Sequence, residues 1–182
     1  MKSTKIKCIP NVLTFCNMAI GILIICLMIH NDSLLGMRMA CLLVYVSVVL
    51  DVLDGHLARH LDATSDMGKQ LDSFADFITF GVAPIAIFLS RMTQVSWYVL
   101  LLLILYPLAG GFRLARYNLQ EDCKCFKGLP ITVAGALNVA VMFINSFVMS
   151  TFTPRFISIY LFLILFLAVL MVSNVKVKRI IQ

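Results

Sequence analysis

The chain has nine acidic side chains among 182 residues, and six of them fall between positions 51 and 76. Four of the six, Asp51, Asp54, Asp72 and Asp76, lie inside the ends of two apolar segments. A charge near membrane depth costs several kcal/mol, roughly 2.5–3.5 on insertion scales, so such residues face a cavity and have a partner. At about 100° per residue, Asp51 and Asp54 stand about 60° apart on a helix and Ala58 about 20° from Asp51. Gly68, Asp72 and Asp76 follow at i, i+4 and i+8, again on one face. A short loop between the two segments makes them antiparallel neighbours, so both acidic faces meet at one end of a bundle. Four converging carboxylates need neutralising, and the nearby bases are few: Arg59 and Lys69. All-oxygen ligation suits Mg²⁺ or Mn²⁺ rather than zinc. Four Asp can hold two such ions, an arrangement that clamps phosphoryl groups. Gly55, Ala58 and Gly68 leave room on the acidic faces, either for a ligand or for a closely packed helix.

The elements that must carry these residues follow from composition. The chain is 61% hydrophobic and 13% charged, with a mean hydropathy of +0.97. Soluble domains have about 25% charged residues, so a soluble enzyme, a disordered tail and a coiled coil are excluded. Apolar runs at 11–29, 34–57, 70–90, 95–115, 130–150 and 155–174 are each long enough to cross about 30 Å of hydrocarbon. An isolated apolar segment must satisfy its backbone internally, and period-two alternation is absent, so all six are expected to be α-helices. The first run has a basic start at Lys2, Lys5 and Lys7 but no small-x-small site closing it, so it is expected to remain as a mature helix.

Six spans place both termini on one side. That side collects Lys2, Lys5, Lys7, Arg59, Lys69, Arg113, Arg116, Lys124, Lys127, Lys176, Lys178 and Arg179, against Arg38, Arg91 and Arg155 on the other. The bias makes the first side cytoplasmic. The +6 net charge is accordingly read as orientation and lipid-headgroup contact, with no nucleic-acid partner expected. Of the six cysteines, Cys16, Cys26 and Cys41 sit in apolar runs, where Cys packs as a small hydrophobe. Cys8, and the C-x-C pair Cys123 and Cys125, are expected to be free thiols, since one pair is a weak zinc signal.

Read continuously, positions 51 to 76 are D-x2-D-G-x2-A-R-x8-G-x3-D-x3-D. This resembles the signature of the CDP-alcohol phosphatidyltransferases at all eight fixed positions, and the six-helix layout agrees. The resemblance covers essentially the whole chain, 1–182, as one membrane domain. It implies an enzyme that uses two divalent cations, Mg²⁺ or Mn²⁺, to join an alcohol to the phosphatidyl group of CDP-diacylglycerol with release of CMP. By resemblance, Asp51, Asp54, Asp72 and Asp76 are the metal ligands and Asp76 is also the general base. Gly55, Ala58, Arg59 and Gly68 would contact the CDP part. Pro10-Asn11-Val12-Leu13-Thr14 resembles the family's P-N-x-x-T entry, which adds Asn11 and Thr14 to the nucleotide contacts; the same residues also suit helix initiation. Asn17 stands where the glycerol-phosphate branch carries Arg and argues against that branch.

Phe80-Gly81-Val82-Ala83-Pro84, Arg113-Leu114-Ala115-Arg116-Tyr117-Asn118 and Phe126-Lys127-Gly128-Leu129-Pro130 are similar to the branch whose acceptor is L-serine. For the serine carboxylate and hydroxyl the candidates are Arg113, Arg116 and Asn118, which also suit membrane anchoring by snorkelling. The expected location is the cell membrane, with the site facing the cytoplasm, and the family resemblance admits a homodimer. The alternatives are the same reaction with glycerol phosphate or inositol phosphate, an ether-lipid donor, or a small ion or proton transporter. A transporter needs acids along a path through the membrane, whereas these cluster at one end.

Overall fold

The computed structural model describes residues 9–30, 33–61, 65–119, 126–149, 151–173 and 176–177. The expectations resting on Lys2, Lys5, Lys7, Cys8, Cys123, Lys124, Cys125, Lys178 and Arg179 lie outside these residues.

Helix α1 runs Ile9–His30 and α2 runs Leu34–His60. The third span is composite: α3 over Asp66–Asp76, a π-helical segment Phe77–Val82 and α4 over Ala83–Leu89. Helices α5 (Trp97–Asn118), α6 (Ile131–Val148) and α7 (Pro154–Val172) complete the set. Among the described residues, six helices are long and apolar enough to cross a membrane. They match the six apolar runs, with α2 and the third span reaching a few residues further toward their shared loop. Among the described residues the one non-helical element is a pair of two-residue strands, β1 (Phe126–Lys127) and β2 (Lys176–Val177), antiparallel with Phe126 opposite Val177.

Local chemistry sets the helix starts. Ser33 accepts from the Gly36 amide, Ser65 from the Gly68 amide and Thr153 from the Phe156 amide, each satisfying an orphan donor of a first turn. Pro154 at the first position of α7 costs no hydrogen bond there.

The third span is the most buried of the six and forms the centre of the bundle. Phe80 and Phe88 on it are fully buried, with Ile24 of α1, Met37 of α2, Tyr106 of α5 and Tyr160 of α7 around them. Phe88 stacks on Tyr160 with ring centroids 4.0 Å apart. Between helices in a membrane there is little hydrophobic driving force, so close packing and interhelical hydrogen bonds hold the bundle. Two such bonds brace the π-helical segment. The Tyr106 hydroxyl donates to the Phe80 carbonyl at 3.1 Å, and the Thr79 hydroxyl donates to the Asn17 carbonyl at 3.1 Å. The outer surfaces of the other five spans carry exposed Leu, Ile, Val and Phe side chains, as a lipid-facing surface requires.

Candidate active site

Asp51 and Asp54 lie in the last turns of α2, and Asp72 and Asp76 in the half of the third span that follows the loop, with Asp76 as the last residue of α3. One carboxylate oxygen from each of Asp51, Asp72 and Asp76 lies within 4.8 Å of the others. Asp51 and Asp76 interact directly. Asp76 is only 7% exposed, and it ends α3 where the π-helical segment begins. π-Helical turns are rare and recur at functional sites.

Asp54 stands beside this trio rather than in it. It is buried, and its Oδ2 accepts from the Thr14 hydroxyl of α1 at 3.0 Å. Thr14 therefore touches a motif acid directly. Asp51 has a partner of its own, the Thr132 hydroxyl of α6, which donates to Asp51 Oδ2 at 3.2 Å. Sequence reasoning missed Thr132. It is a lone polar residue at the head of an apolar run, 81 positions away from Asp51, and no local signal marks it.

The glycines divide. A Cβ at Gly55 would meet only the Arg59 guanidinium, at 3.9 Å, so the space there is open. A Cβ at Gly68 would lie 3.0 Å from Ser65 Oγ and 3.2 Å from Asn11 Oδ1. Gly68 thus lets Asn11 of α1 approach the first turn of α3. Ala58 is half-buried and Arg59 exposed. Lys69 pairs with Asp66 at 3.6 Å on the surface.

The three acceptor candidates separate as well. Arg113 is 7% exposed, its charge reaches Asp76 and Asp51, and its Nε is buried without a hydrogen-bond partner. Arg116 instead grips the end of α7, donating to the carbonyls of Val172 at 3.1 Å, Ser173 at 3.3 Å and Met171 at 3.4 Å. These are last-turn carbonyls with no intrahelical donor, and a cation there also complements the helix dipole. Asn118 donates to Ser73 Oγ at 2.9 Å. It faces a cleft of about 290 Å³ between α3 and α5, on a different face of α3 from the acids. Arg116→Ala is therefore expected to cost about 1–3 kcal/mol of stability through the lost charge-assisted bonds, and to lower the melting temperature while leaving the KM for the acceptor within twofold.

A divalent cation suits this trio. Asp72 Oδ1 and Asp76 Oδ1 are buried with no hydrogen-bond partner, and buried carboxylate oxygens are normally satisfied by donors or metal. Oxygen-only donors favour a hard cation. Acids that converge in this way at one end of a helical bundle can hold a diphosphate through metal and place a hydroxyl beside it.

Residues 7–175 match the model for CDP-alcohol phosphatidyltransferase. The chain belongs to this family. Among its relatives, the CDP-diacylglycerol–serine O-phosphatidyltransferase of Bacillus subtilis is 37% identical over 138 residues, covering 74% of this chain and 75% of the relative. The enzyme of the same name from Methanocaldococcus jannaschii is 32% identical over 176 residues, covering 96% of this chain and 76% of the relative. The archaetidylserine synthase of Methanothermobacter thermautotrophicus is 33% identical over 182 residues, covering 98% and 73%. In a CDP-alcohol phosphatidyltransferase the clustered acids have a substrate to match, a diphosphate that brings its own negative charge and requires cations between them.

Proposed function

We propose that this protein transfers the phosphatidyl group of CDP-diacylglycerol to the hydroxyl of L-serine, giving phosphatidylserine and CMP. The observation that carries the reading is the convergence of Asp51, Asp72 and Asp76 within 4.8 Å in a chain similar over most of its length to serine O-phosphatidyltransferases. Asp51, Asp54, Asp72 and Asp76 would hold two divalent ions, Mg²⁺ or Mn²⁺. When bound, these ions supply positive charge against the diphosphate and the departing CMP.

The chain's own residues do the rest. The serine hydroxyl oxygen bonds to the phosphorus that carries the diacylglycerol, its proton passes to the Asp76 carboxylate, and the bond from that phosphorus to the CMP oxygen breaks. A positioned carboxylate contributes about 10²–10⁴-fold to such a transfer. Arg113 is the cation we assign to the serine carboxylate; its burial beside Asp76 supports the assignment, as does the engagement of Arg116 with α7. Asn11, Thr14, Gly55, Ala58, Arg59 and Gly68 bound the nucleotide and diphosphate region, with Gly55 offering the open approach. The excess of Lys and Arg on the side that carries the acids orients the site toward the cytoplasm, with both termini on that side and the protein integral to the cell membrane.

The relative named archaetidylserine synthase covers 98% of this chain, which favours testing an ether-linked donor alongside the diacyl one. Purified protein with Mn²⁺ and CDP-diacylglycerol is expected to release CMP when L-serine is added and not when glycerol 3-phosphate is added. Release with glycerol 3-phosphate and none with serine overturns the acceptor. Turnover of the ether-linked CDP-lipid alone overturns the diacyl donor and leaves the acceptor standing.

A further inference from the structure

We propose that Thr132 is a positioning residue of the carboxylate site, holding Asp51 in the rotation that presents it to Asp72 and Asp76. The inference rests on the metal-site reading above. Its basis is the hydrogen bond from the Thr132 hydroxyl to Asp51 Oδ2, 3.2 Å long, between residues of α2 and α6 that are 81 positions apart in sequence.

A threonine in an apolar helix ordinarily returns its hydroxyl to the carbonyl four residues back. Thr132 has no such helical carbonyl, because it is the second residue of α6 and position 128 lies in the preceding loop. Its hydroxyl is left to donate across the bundle. The depth at which it does so is set from the other side of the molecule. Gly128 adopts φ +80°, and a Cβ there would run into the Met171 carbonyl, so the loop crosses the end of α7 in close contact. The Leu129 amide then donates to the Leu170 carbonyl at 3.2 Å, and Ile131 is fully buried. Arg116 grips the same helix end through Val172 and Ser173. The first turn of α6 is thereby fixed against α7, with its partly positive N-terminal end toward Asp51, an orientation that favours a carboxylate.

A carboxylate that ligates metal is commonly held by a hydrogen bond from outside the ligand set, and loss of that bond typically costs about 10–100-fold in metal affinity. Asp51 is the member of the trio with such a donor, while the buried oxygens Asp72 Oδ1 and Asp76 Oδ1 have none among the described residues. Thr132 thus gives the cluster one member of fixed orientation around which the others arrange.

The test is Mn²⁺ binding by the purified full-length protein in detergent, read from the loss of the free-ion electron paramagnetic resonance signal. Thr132→Val keeps the shape and removes the hydroxyl; it is expected to weaken Mn²⁺ binding about tenfold or more. Thr132→Ser restores the hydroxyl and is expected to bind within about threefold of wild type. Should Val disturb folding, as a melting curve would reveal, Thr132→Ala against Thr132→Ser makes the same comparison. Wild-type affinity in Thr132→Val overturns the proposal. So does a Ser variant as weak as Val, which would assign the effect to methyl packing. Absence of Mn²⁺ binding by the wild-type protein instead overturns the metal site itself, and this inference with it.

Discussion

Asp76→Asn is expected to abolish phosphatidyl transfer while leaving the fold intact. Asn has the size of Asp and can still accept hydrogen bonds, but it cannot take the proton of the attacking hydroxyl. The loss of the base alone predicts a fall of at least about 100-fold in kcat; the loss of a charged ligand from the trio deepens it. The protein itself is expected to hold or gain stability. Asp76 is nearly buried, interacts directly with Asp51 and has one oxygen unpaired, so neutralising it relieves repulsion among three close carboxylates. CMP release at saturating substrate, beside a thermal melt in detergent, separates the two effects. Turnover within tenfold of wild type removes Asp76 from the role of base. A melting temperature lowered by several degrees would mean that the carboxylate is structural.

The second large effect is on the bundle. Gly135 of α6 faces the π-helical segment, and a Cβ on it would stand 2.7 Å from the Phe80 Cβ and 3.0 Å from the Phe80 Cα and carbonyl oxygen. Gly135→Ala gains helix propensity, about 1 kcal/mol at most. Against that, overpacking a close-fitted core costs about 1–3 kcal/mol. The clash is expected to win, because its partner cannot step aside. Phe80 is fully buried and its carbonyl accepts from Tyr106. Gly135→Leu adds three further carbons to the same gap and is expected to prevent stable assembly. Melting temperatures of the two variants, and retention of monodisperse protein in detergent, measure this. Activity is expected to fall with stability, since the displaced segment begins at Phe77, next to Asp76. An Ala variant as stable as wild type would show that α6 can move away from the third span.

Much of the architecture was written locally. Six apolar runs of spanning length correspond to six helices, because in hydrocarbon a segment without the alternation of a barrel strand satisfies its backbone internally only as a helix. The acids were legible for the same reason. Scarce charges inside apolar helices, at intervals of three and four, must share a face, and Asp51, Asp72 and Asp76 do come together. Gly68 was less legible. Its spacing suited either ligand clearance or helix packing, and the neighbours Ser65 and Asn11 are facts about α1 and α3 together that no window on α3 contains.

The arginines of α5 make the limit sharpest. Arg113 and Arg116 are three residues apart and about 60° apart around one helix, and composition treats them alike. One is buried within electrostatic reach of Asp76 and Asp51, and the other closes the end of α7. What separates them is which neighbour each side meets, and that depends on how six similar greasy helices are ordered in the bundle. The π-helical segment and the bond from Thr132 to Asp51 belong to the same category. By itself the sequence determined the helices, the motif and the side-chain types that can hold a hard cation, because periodicity and charge cost act within a few turns. Which carboxylates converge, and which distant hydroxyl or guanidinium reaches them, was decided only by tertiary packing, since hydrogen bonds and close steric fit act over a few ångströms between segments the chain separates by dozens of residues.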